Sequence, residues 1–211
     1  MGNVRLYGST SGYTELAPPA VAPDGVLSLP SGTGTLATTA DVAAGGGGLV
    51  HINTTTFSAV SSVSIDDVFT SDYANYSIVI EGATGSESLF VAVRMRAAGV
   101  DATGASDYKR SWSVITDTSG GDDSSFSSTG SSYGVLSSVP SGASFANICT
   151  FYTPQIAQKT LMSSVLVTSQ MVQGTIGFAH NLSTSYDGLT IYPNTGNLTG
   201  TIRVYGYKNG A

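Results

Sequence analysis

The chain has 211 residues, a formal net charge of −6, 41% hydrophobic residues and only 10% charged residues, against a usual charged fraction of about a quarter. Length and apolar content suffice for one substantial core, and the basic residues Arg5, Arg94, Arg96, Lys109, Arg110, Lys159, Arg203 and Lys208 are scattered. A nucleic-acid partner is not expected, because phosphate binding needs a cationic patch to release counterions. Nor is membrane insertion, since no apolar stretch approaches the roughly 20 residues that span a bilayer. Ser, Thr, Gly and Asn take the place of charges. A surface of small uncharged polar groups suits repeated packing against neighbours, with few charges to desolvate.

Residues 1–40 hold four short apolar pieces, Val4–Tyr7, Tyr13–Leu16, Val26–Leu29 and Thr35–Ala37, separated by Gly- and Pro-rich turns such as Pro18-Pro19 and Pro23–Gly25. Each piece is too short to bury a core alone. The segment is therefore expected to need partners, either the main domain, other copies or a surface on which it lies, and the arm residues available for such contacts are Leu6, Tyr7, Leu16, Pro18, Pro19, Leu27, Leu29 and Leu36. The run Ala43–Gly48 predicts a flexible joint, so residues 41–48 read as a Gly-rich linker. The opening Met1–Leu6 is not followed by the apolar centre of a secretory signal, and folding in a cytoplasm is expected.

From Leu49 onward the candidates are longer: Thr56–Ile65, Tyr76–Ile80, Ser88–Arg96, Arg110–Ile115, Tyr133–Leu136, Ala146–Tyr152, Leu161–Thr168, Gly174–Ala179, Leu189–Tyr192 and Thr201–Tyr207. β-Branched and aromatic residues dominate them, with Gly, Pro, Asn and Asp between. About ten strands at this spacing predict an all-β domain over residues 49–211, a β-sandwich of jelly-roll type. Ser64–Tyr73 reads as a single helical turn capped by Ser64 or Asp66. Thr116–Ser132, rich in Ser and Gly, reads as a long exposed loop. The aromatic residues flanking it, Tyr108, Trp112, Phe126 and Tyr133, are expected to form an outward contact surface, since rings and hydroxyls together suit a glycan.

Concentrated chemistry is not expected, and neither are catalytic residues, metal ligands or a cofactor. His51 and His180 are far apart in sequence and read as ordinary turn or surface residues. Cys149, in the apolar run Phe145–Phe151, reads as a buried inert thiol. Gly8–Gly12 has Thr10 where a nucleophile elbow needs serine, and Gly32–Thr35 lacks a surrounding βαβ unit. Asp117, Asp122 and Asp123 in one loop, and Asp101 and Asp107 in another, match no calcium-loop spacing. Paired carboxylates for glycan cleavage would have to come from Glu15, Glu81 and Glu87 or from such aspartates, none in a persuasive setting. Arg94/Arg96 and Lys109/Arg110 read as solvated strand faces that would at most meet across a sheet.

Two passages resemble bacteriophage virion proteins. The strings Gly12–Pro19, Gly25–Pro30 and Gly32–Ala37 are similar to a segment that recurs in tail-fibre and appendage proteins. Asp67–Tyr76, Arg94–Arg96, Ser106–Tyr108 and the closing Gly200–Tyr207 are similar to β-rich domains of phage structural proteins. The resemblance implies a homotrimer attached to the virion by its N-terminal segment and assembled in the host cytoplasm. Its partners would be copies of itself, other capsid or tail proteins, and a host surface glycan. The expected function is a non-enzymatic, fibre-like and receptor-binding appendage. The alternative is a capsid decoration (cement) protein, favoured by a short chain with no heptad shaft; a glycan-binding or glycan-cleaving tail protein stands third.

Overall fold

The computed structural model describes residues 4–7, 9–16, 48–115 and 124–208, and the chain divides into two units, Met1–Gly46 and Gly47–Ala211. In the first, β1 (Val4–Tyr7) pairs antiparallel with β2 (Tyr13–Leu16), Tyr7 opposite Tyr13 and Arg5 opposite Glu15. Cross-strand pairs hold this ribbon: Arg5 Nε donates to Glu15 Oε2 at 2.8 Å, and its guanidinium lies 4.6 Å from the Tyr13 ring centre. Of the arm residues, Tyr7 is exposed and Leu6 and Leu16 are described by their backbone only; Pro18, Pro19, Leu27, Leu29, Leu36 and linker residues 41–47 lie outside the described residues.

The second unit is built from antiparallel strands: β3 (Leu49–Val60), β4 (Val63–Ile65), β5 (Tyr73–Gly85), β6 (Leu89–Ala97), β7 (Val100–Asp101), β8 (Tyr108–Ile115), β9 (Ser124–Ser131), β10 (Gly134–Val139), β11 (Ser144–Tyr152), β12 (Leu161–Thr168), β13 (Gln173–His180), β14 (Gly188–Pro193) and β15 (Leu198–Lys208). Eight form one sheet in the order β3-β15-β5-β11-β12-β13-β8-β9, and five form another in the order β10-β6-β14-β4 with β7 on β6. The architecture is all-β and sandwich-like, with no helix among the described residues. Ser64–Tyr73, expected as a helical turn, is a short strand followed by bends. Val63 and Ile65 are buried at the strand period of two, and Asp67 takes a left-handed φ of 57° that breaks a helix.

Alternation explains which faces meet. Along β12, Met162, Ser164, Leu166 and Thr168 are buried while Leu161, Ser163, Val165 and Val167 are exposed; along β11, Phe145, Asn147, Cys149 and Phe151 point inward. The main core joins Tyr76, Ile78, Ile80, Cys149, Phe151, Ile202 and Val204 of the large sheet to Val93, Met95, Leu189 and Ile191 of the small one. A second cluster, Val114, Val135, Leu166, Val172 and Ile176, lies against Phe90, Trp112 and Tyr133. β10 thus carries residues of both clusters: Leu136 belongs to the first and Val135 to the second.

A bulge between Val135 and Ser137 makes this possible, leaving Leu136 out of the β10–β6 register. Its carbonyl accepts Asn147 Nδ2 at 2.7 Å and Ser164 Oγ at 2.8 Å, while Cys149 Sγ donates to Asn147 Oδ1 at 2.5 Å. The buried polar residues of β11 and β12 therefore satisfy the group that the bulge frees. Gly134 begins β10 without a side chain because a Cβ there would lie 2.5 Å from the Phe178 ring.

The outer face of the large sheet is different. None of β11, β12 and β13 carries Lys, Arg, Asp or Glu. Ile148 stands opposite Val165, Ala146 opposite Val167, and Val167 opposite Gln173, which in turn faces Ile115. Ile148, Val165, Val167 and Ile115 are 56%, 62%, 47% and 48% exposed, with Thr150, Ser163, Thr175 and Ser113 alongside.

Candidate functional site

Trp112, Phe126 and Tyr133, expected as a contact surface, come together; Tyr108 does not join them. Trp112 on β8 stands opposite Phe126 on β9, with rings stacked at 4.2 Å and 20°, and Phe90 of β6 lies 5.6 Å from the indole. Phe126 is 41% exposed. The segment expected as one long loop is thus partly a strand: Ser124–Ser131 pairs with β8, and residues 116–123 lie outside the described residues. Serine is a weak strand former, so pairing and the aromatic stack set this structure rather than propensity.

Tyr108 is a correction. Its side chain is completely buried, its hydroxyl accepts from Met95 N at 2.8 Å, and its ring packs edge-on against Phe178 and His180. Tyr108 and Trp112 share one face of β8 through the strand's alternation, but Tyr108 sits deeper between the sheets. Burial pushes its phenol pKa far upward.

Arg110, on the same face, lies 4.3 Å from the Tyr133 ring centre, 5.7 Å from Phe126 and 5.8 Å from Trp112. The Tyr133 ring is 6.2 Å from Tyr192 of β14, over which Arg94 of β6 sits at 4.7 Å while donating from Nε to Ser132 O at 3.2 Å. Two arginines from the two sheets thus flank one tyrosine pair. Burial raises the Tyr192 phenol pKa, and the Arg94 charge opposes that shift. The sequence reading that placed Arg94 and Arg96 alike on a solvated face needs correction. The Arg96 side chain is 13% exposed and is held by Asp66 at 2.7 Å and Asp101 at 2.5 Å. Phe90 and Tyr192 were missed in the sequence; the period-two alternation of β6, which puts Phe90 and Arg94 on one face, is the signal that could have found the first.

The remaining reactive groups are separate. His180 is buried, not a surface residue: it lies between Tyr108 at 4.5 Å and Tyr186 at 5.0 Å, and Leu182 N donates to its Nδ1 at 3.3 Å. Burial lowers its pKa, partly opposed by Asp107. Its neighbours Tyr108 and Tyr186 come from β8 and from the segment before β14, so the pocket required tertiary contacts that a single strand does not display. His51 is exposed on β3 and hydrogen-bonded to Thr54 at 2.7 Å. Cys149 is a fully buried thiol whose pKa burial pushes up to about 12. Asp107 Oδ2 accepts Gly104 N at 2.7 Å in a turn, and Asp101 is held by Arg96 and Thr190. Asp117, Asp122 and Asp123 lie outside the described residues. Glu81 pairs with Arg203, Glu15 with Arg5, and Glu87 accepts Thr195 Oγ1 at 3.1 Å. Among the described residues no three His, Cys, Asp or Glu side chains group as metal ligands. Comparison with protein families, curated proteins and solved structures finds no match.

Proposed function

We propose that this chain is a non-enzymatic structural protein on the surface of a tailed-phage virion, a fibre-like, receptor-binding appendage held by its N-terminal arm and working as a homotrimer. The observation that carries the reading is the neutral outer face of β11–β13, where Ile148, Val165, Val167 and Ile115 stand exposed among small hydroxyl side chains. A contiguous apolar patch of this kind marks an interaction surface. In a chain of net charge −6, a face without charges is where copies meet with least repulsion. We read the sandwich as a jelly roll because consecutive strands cross between sheets, from β5 to β6, β9 to β10, and β13 to β14 and back to β15. The stacked Trp112–Phe126 pair beside Tyr133 is the surface we assign to a host glycan.

The same face supports a second reading, a capsid decoration protein, because a broad uncharged sheet also suits adhesion to a shell. Quantitative mass spectrometry of purified virions separates the two. A few copies per particle place the protein on the tail, a ratio near that of the shell subunit makes it a decoration protein, and absence from virions refutes both.

A further inference from the structure

Fourteen acidic residues face eight basic ones in this chain, so carboxylates are in excess. Arg5 and Arg203 each hold one, and Arg96 holds two, Asp66 and Asp101. Among the described residues Arg94 and Arg110 are in no ion pair, although both lie on the tyrosine pair Tyr133–Tyr192. Asp101, whose charge reaches Tyr192, is held by Arg96 and by Thr190 Oγ1 at 2.7 Å. Arg94 spends its Nε on the Ser132 carbonyl. Among the described residues Arg110 Nε and Tyr192 Oη are buried without a hydrogen-bond partner.

A guanidinium only donates hydrogen bonds, and a phenol hydroxyl donates readily. Ring faces soften the two cations but accept no strong hydrogen bond from them. Two partly buried positive charges and two unmet donors, in no ion pair among the described residues, form a cluster complementary to an oxyanion, which supplies negative charge and several acceptors at once.

We infer that Arg94, Arg110 and Tyr192 form a binding site for an oxyanion, the carboxylate or sulfate group of a small ligand. Arg110 and Arg94 supply the charge and the Tyr192 hydroxyl supplies a third donor, with Tyr133 as the plate that orients Arg110. The source is either an acidic sugar or a free inorganic anion. The inference goes beyond the virion reading and does not rest on it, so either can fail alone.

The test is a titration of the full chain with glucuronate, with sulfate, and with glucose as the uncharged control, by calorimetry and NMR at low ionic strength. Saturable binding of the anions but not of glucose is expected, weakening as salt is added. Arg110→Gln and Arg94→Gln should each weaken it by about tenfold or more. Tyr192→Phe, which keeps the ring and removes only the hydroxyl, should weaken it by a smaller factor. Circular dichroism checks folding, and Arg110→Lys, which keeps the charge but loses the fork, should also weaken binding if Arg110→Gln does not fold. Glucuronate binding tighter than sulfate assigns the site to an acidic sugar; equal affinities assign it to a bare oxyanion. No saturable binding by the folded protein, or binding unchanged in the three variants, overturns the inference.

Discussion

Replacing Asn147 by alanine tests whether the buried polar bridge between β11 and the β10 bulge holds the two clusters together. Asn147 is 1% exposed; its Nδ2 donates to Leu136 O and to Ser164 Oγ, both at 2.7 Å, and its Oδ1 accepts Cys149 Sγ at 2.5 Å. Alanine removes all three bonds, each worth about 1 kcal/mol net. The vacated volume adds about 1 kcal/mol more. Leu136 O keeps Ser164 Oγ at 2.8 Å, so it is not stranded. The expected loss is therefore about 3–4 kcal/mol, a large part of the roughly 5–15 kcal/mol that holds a domain together. Urea unfolding followed by tryptophan fluorescence measures it, since Trp112 is the only tryptophan and packs against the second cluster. Ser164→Ala, which spares Asn147, should cost less. A loss below about 1 kcal/mol for Asn147→Ala, with an unchanged denaturant slope, refutes the reasoning.

Other consequences follow from the same geometry. His180 has a folded pKa below its unfolded value of about 6.5, so the unfolded chain binds the proton first. Its contribution is fully present above that pH and is lost as pH falls towards the folded value, at up to about 1.4 kcal/mol per pH unit. His180→Gln should flatten that part of the stability curve, and an unchanged slope below pH ~6.5 contradicts the assignment. Cys149, buried with its pKa near 12, should react with a thiol reagent at neutral pH only as fast as the protein opens; labelling at the rate of a free thiol speaks against its burial. Deleting residues 1–40 should abolish attachment to particles while leaving residues 49–211 folded, measured by co-sedimentation with virions and by circular dichroism; decoration by the truncated protein refutes the role given to the arm.

The fold class was legible wherever large side chains alternate. β11 and β12 read as strands because Phe145, Phe151, Met162 and Leu166 recur at a period of two. β9 did not, because Ser124–Ser131 has one large side chain, Phe126, and owes its form to β8. Asp66 imitates a helix cap in sequence, but in the fold its carboxylate is spent on Arg96. The site was half legible. Trp112, Phe126 and Tyr133 flank one segment, so their meeting was visible locally. Tyr108 differs from Trp112 only in depth, which alternation does not encode. The partnership of Arg110 with Tyr192 and Arg94 joins strands of two sheets, and no local pattern announces a contact set by how the sheets pack.

Sedimentation equilibrium of the full chain, beside Val165→Lys, tests the assembly claim most directly. Val165 is 62% exposed opposite Ile148, so lysine there should be tolerated by the fold while placing a charge at the centre of the neutral face. The account predicts three times the chain mass of 21.5 kDa for the wild type and a shift towards the single-chain mass for the variant. A single-chain mass for the wild type at every concentration, or a trimer indifferent to Val165→Lys, would contradict it.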